Sequence, residues 1–184
     1  MWQARVVLPA PGHVDGLPAI PGLAAEAITA GQAVIFDSVG IVLVPTIDAH
    51  TTWKTFSQES SLVDPTTASA SIRPEQARWA IRTAIADATT LLAATDTAAG
   101  RDAISDSMRR VQTELDRFTW PADTSPEQRA TVLQAAQVLA IATTALHHDS
   151  TVHGSVNVTA ARTQSLTDLA HTARRCLAAA CSTR

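Results

Sequence analysis

Arg129-Ala130-Thr131-Val132-Leu133-Gln134-Ala135-Ala136-Gln137-Val138-Leu139-Ala140-Ile141-Ala142-Thr143-Thr144-Ala145-Leu146-His147-His148-Asp149 decides the fold. Its 19 internal residues carry no formal charge with histidine taken as neutral. On a 3.6-residue period, Val132, Leu133, Ala136, Leu139, Ala140 and Leu146 share one face. Ala135, Val138, Ala142 and Ala145 widen it sideways, leaving a narrow polar band of Gln134, Gln137, Thr144 and His148. A helix apolar over most of its circumference belongs in the middle of a bundle. The length would also span a bilayer. Thr131, Gln134, Gln137, Thr143, Thr144, His147 and His148 make it too polar for that, so no membrane partner is expected.

Outward from this helix, the entry Ser125-Pro126-Glu127-Gln128 combines an N-cap serine with proline and an acid in the first turn. The same signal stands at Pro74-Glu75-Gln76, which opens a helix with the stripe Ala77, Ile81, Ala84, Ile85, Ala88, Leu91 and Leu92. Both helices carry a threonine pair, which hints at a duplicated helical hairpin. Between them, a helix from about Thr97 shows Ile104, Met108, Val111, Leu115 and Phe118 on one side, with charges elsewhere, and Pro121 closes it. A last helix, from about Thr159 to Ala180, turns Leu166, Leu169, Ala170, Ala173, Leu177 and Ala180 inward. The second face of the helix at Pro74, with Trp79, Thr83, Ala86 and Thr90, is apolar or small. It is expected to lie under the N-terminal hairpin. Left open, it would form a flat surface suited to another helix.

Towards the N-terminus the pattern becomes extended. Arg5-Val6-Val7-Leu8 predicts a short strand, and Leu23 to Ala30 predicts a helix stopped by Gly31. Ala33-Val34-Ile35-Phe36 and Ile41-Val42-Leu43-Val44 predict a hairpin around Asp37-Ser38-Val39-Gly40, closed by Pro45. Residues 48–73 are rich in Ser and Thr and are expected to form a long connection, with Trp53 and Phe56 on one helical turn. The expected fold class is therefore α+β: a small N-terminal antiparallel β segment of two or three strands packed on a C-terminal four-helix up-down bundle. The expected division is residues 1–73 and 74–184.

Composition narrows the functional classes. At 184 residues and 46% hydrophobic content, the chain folds as a globular protein without needing metal or disulfide. A net charge of −3 gives no basic footprint, so no nucleic-acid partner is expected. Cys176 and Cys181 lie five apart in the last helix, rotated too far from each other to bridge, and fit free thiols of a reducing compartment. The first residues lack the basic and apolar regions of a signal peptide, so the expected location is cytoplasmic.

Chemistry-bearing motifs are sparse. Gly-x-Ser-x-Gly, Gly-x-Gly-x-x-Gly and the Gly-Lys phosphate loop do not occur. Asp102 and Asp106 share a helix face with Arg109 and Arg110 at ion-pair spacing, and Asp168 with His171 is a solvated pair without a nucleophile. Arg109-Arg110 and Arg174-Arg175 are candidate anion clamps. His147, His148, Asp149 and His153 form a cluster of metal-ligand type, suited to a transition metal such as zinc. Adjacent histidines on a continuing helix diverge by roughly 100°, so this ligand set needs the helix to have ended. The sequence thus favours a non-catalytic cytoplasmic interaction or regulatory module without cofactor, self-associating or bound to a protein partner, with Trp53, Phe56 and Trp79 as contacts. The alternative is a small-molecule- or metal-binding helical-bundle enzyme built on His147, His148, Asp149 and His153.

Overall fold

The β-branched runs flanking Asp37-Ser38-Val39-Gly40 fold back on each other. The Val39 N–H donates to the Phe36 carbonyl at 3.1 Å, and Gly40 takes the positive φ that closes the turn. The computed structural model that shows this describes residues 4–47, 50–57, 72–93, 101–149 and 156–182. In chain order the elements are β1 (Arg5–Val7), α1 (Leu23–Ala30), β2 (Ala33–Phe36), β3 (Ile41–Ile47), β4 (Thr51–Ser57), α2 (Pro74–Ala93), α3 (Arg101–Arg117), α4 (Pro126–Asp149) and α5 (Val156–Cys181). The protein is α+β, with an antiparallel N-terminal sheet and a helical C-terminal part. Contacts divide the chain into one unit of Met1–Arg73 with Ala178–Arg184 and a second of Pro74–Leu177.

In the first unit the sheet order is β1-β2-β3-β4, every pair antiparallel. Register puts Val7 beside Ala33, Ile35 beside Val42, and Val42 beside Phe56, so these side chains share one face. α1 packs on it with Leu23 and Ala27, both fully buried. Gly31 ends α1 in the left-handed conformation, its N–H returned to the Ile28 carbonyl at 3.2 Å. Arg5 clasps both carboxylate oxygens of Asp37, at 3.0 and 2.9 Å, and donates to the Gly16 carbonyl at 2.7 Å, tying the β1 end to the hairpin turn.

Two expectations change here. Residues 51–57 are not connection or helical turn but the fourth strand of the sheet. β-branched threonines and aromatics suit a strand. This one is exposed at nearly every residue, so it lacks the apolar alternation that marks a half-buried strand. Pro45 does not end β3, which runs on to Ile47 and pairs Pro45 with Trp53. β2 pairs only with Ile41–Leu43, so at Pro45 the opposite flank of β3 has no strand neighbour among the described residues. A residue without an N–H is tolerated at such a position.

In the second unit α4 packs against both α2 and α3, and no residue from Thr131 to Leu146 is exposed. Its most buried line is not the leucine face expected from the wheel but Thr131, Val132, Ala135, Val138, Ala142 and Ala145. Leu133, Leu139 and Leu146 are half-buried beside it. Small side chains let neighbouring helices approach closely, which moves the contact seam onto them. Ser125 caps α4 as its sequence predicts, its Oγ accepting the Gln128 N–H at 3.1 Å. α3 runs antiparallel to α4, since Ser107 near its start bonds Thr144 near the end of α4. α3 stops at Arg117, and Phe118, expected on its inner stripe, is 55% exposed with its ring edge-on to Trp120 at 5.2 Å. The Arg129 guanidinium lies 5.7 Å from the Trp120 ring centroid, fastening this turn to α4. On α5, Leu166, Leu169, Ala170 and Ala173 are buried, and the Cys176 thiol donates to the Ala77 carbonyl of α2 at 3.3 Å.

Candidate functional site

The aromatic residues singled out from the sequence separate into different roles. Positions three apart on a strand face opposite ways. Phe56 packs on the sheet core beside Val42, while Trp53 points to the other face and is 52% exposed. Lys54, on the Phe56 side, reaches Glu26 of α1 at 2.7 Å. Trp79, which heads the second face of α2, is 72% exposed. Ala86 and Thr90 on that face are also exposed, and the Thr90 hydroxyl is turned back onto the Ala86 carbonyl at 2.9 Å.

The edges of the sheet differ. At β1 the outward N–H of Val6 donates to Ser182 Oγ at 3.0 Å, so a donor of that short edge is engaged within the chain. Beyond β4 no further strand lies among the described residues, and its seven residues form the sheet's other edge. An edge strand presents a row of backbone donors and acceptors ready to pair with another strand.

Among the metal-type residues, His147 is exposed on α4, with Nδ1 donating to the Thr143 carbonyl at 2.7 Å. α4 continues through His148 to Asp149. The two histidines therefore leave the helix axis roughly 100° apart, the geometry that disfavours shared chelation. The side chains of His148 and Asp149, and all of His153, lie outside the described residues. Of the acid pairs, Asp106 is held by Arg109 at 3.0 Å, and Asp168 accepts from Gln164 Nε2 at 2.9 Å.

One feature lay beyond the sequence alone. A cleft of about 350 Å³ opens between α3 and α4, lined by Ser107, Arg110, Val111, Ala140, Thr143, Thr144 and His147. Its residues come from two helices about 35 positions apart in sequence and meet only because the helices run antiparallel. The Arg109-Arg110 pair was the one sequence signal that pointed towards it.

An antiparallel sheet with no strand beyond β4 among the described residues, and a helical unit with an open cleft between α3 and α4, define an α+β protein. Residues 1–69 match the model of the Rv1486c-like protein N-terminal domain, and residues 75–178 match that of the Rv1486c-like protein C-terminal domain. The chain belongs to the Rv1486c-like family. No curated protein and no solved structure matches it.

Proposed function

We propose that this protein is a non-catalytic cytoplasmic interaction module that associates with a second copy of itself through the β4 edge. The observation that carries this reading is the asymmetry of the sheet. One edge is a three-residue strand whose Val6 N–H is taken by Ser182, and the other is a seven-residue strand with an exposed tryptophan. With one open edge among the described residues of each chain, two copies pair and growth then stops, giving a closed two-fold dimer and not a filament. Charge does not oppose it, because the single charge of the strand, Lys54, is already matched by Glu26 of its own chain. Trp53 would then lie within cross-strand reach of the added strand, as an aromatic anchor. A strand of this length buries less than a standard interface, so dissociation in the micromolar range is expected.

Sedimentation velocity over a concentration series tests it. A monomer–dimer equilibrium is expected, weakened at least about tenfold by Trp53→Ala. A wild-type protein that stays monomeric throughout the series, or an association that Trp53→Ala leaves unchanged, would refute the reading.

A further inference from the structure

The cleft between α3 and α4 includes a cation, Arg110, whose charge is not neutralised from within. Asp106 and Glu114 stand one turn either side of Arg110 on α3. Asp106 is bonded to Arg109 at 3.0 Å, and Glu114 faces Arg117 at 3.6 Å. Arg110 makes no ion pair or hydrogen bond among the described residues, so its planar fork of N–H groups stands at the cleft with both neighbouring acids committed elsewhere. Deeper in, Ser107 Oγ and Thr144 Oγ1 lie 2.8 Å apart and half-buried. Whichever of them donates, the hydroxyl proton of the other has no partner among the described residues. Thr143 contributes no donor, since its hydroxyl is given to the Leu139 and Ala140 carbonyls at 2.8 and 3.1 Å. Val111 and Ala140 supply the apolar part of the lining.

An uncommitted cation and a spare hydroxyl donor call for a ligand that only accepts. A single guanidinium matches a single negative charge spread over two oxygens. An apolar wall beside it matches a short hydrocarbon body. We infer that this cleft binds a small aliphatic carboxylate, its carboxylate held by the Arg110 fork and the Ser107–Thr144 hydroxyl pair, its chain against Val111 and Ala140. The site lies within the helical unit and is independent of the β4 edge, so it stands or falls separately from self-association.

Butyrate is the probe, followed through backbone amide resonances of the full chain, with butylamine as the cation of similar size. Saturable shifts confined to Ser107, Arg110, Val111, Ala140 and Thr144 are expected with butyrate, at about millimolar affinity because the site is partly open to water. Butylamine should give none. Arg110→Gln, an exposed change between two good helix formers, should keep the circular dichroism spectrum and weaken butyrate by about tenfold or more. Ser107→Ala should weaken it by a smaller factor while leaving the Arg110 resonance responsive. Absence of saturable shifts, equal shifts with butylamine, or an Arg110→Gln variant that titrates like the wild type would overturn the inference.

Discussion

Cys176 shows how a single side chain reports on packing. The thiol is fully buried and donates to the Ala77 carbonyl. Loss of water pushes its pKa up from 9.0 to about 11, against the lowering effect of the Arg175 charge and a backbone hydrogen bond at Ile81. The thiolate is the reactive form, so the buried Cys176 is expected to resist a thiol reagent at neutral pH in the folded protein. Cys181 is accessible, although desolvation also pushes its thiol up, and is expected to react, more slowly than a free thiol. Mass spectrometry after labelling distinguishes one adduct from two. The same shift has a thermodynamic sign. Below pH 9 the thiol is protonated in both states and adds no pH dependence. Between pH 9 and about 11 the unfolded chain gives up a proton that the folded chain retains, so stability falls as pH rises. The urea midpoint should decline across that window, and Cys176→Ala should flatten the decline. The burial of Cys176 follows from its place among the inward positions of α5, whereas its partner carbonyl 99 residues away leaves no trace in local sequence.

At the scale of the element, legibility follows burial on one side only. α1, the β2–β3 hairpin and α4 were readable because each alternates between a packed and a wet face or carries a strong boundary signal. Ser125 is such a signal. Its hydroxyl satisfies an amide that the helix itself cannot, so Ser125→Ala should destabilise the helical unit by about 1 kcal/mol, measured by urea denaturation. β4 failed the same test for a physical reason. Exposure along nearly its whole length removes the apolar periodicity, and a strand without it resembles a polar loop. The proposed self-association would draw on that same exposure at Trp53.

For the whole molecule, the central quantity is how the apolar surface of α4 is disposed of. Pro126–His147 is long and apolar enough to cross a bilayer by length and composition. In the folded chain, however, no residue from Thr131 to Leu146 is exposed, and the buried seam is held by small residues against its neighbours. Releasing the helix into lipid would uncover the matching surfaces of α2 and α3 to water, at a cost that grows with apolar area. The purified protein is therefore expected to remain at the bottom of a flotation gradient with neutral liposomes. Co-flotation would show that α4 leaves its neighbours.

Sequence by itself determined the class of each helix and of the central hairpin, the capping at Ser125 and the stop at Gly31, because periodicity, caps and turn glycines act over a few residues. Which side of α4 became the seam, and that Arg110 should share a cleft with Ser107 and Thr144, were decided only in three dimensions. Each depends on how closely two distant segments approach, and that distance is set by the side chains of both at once.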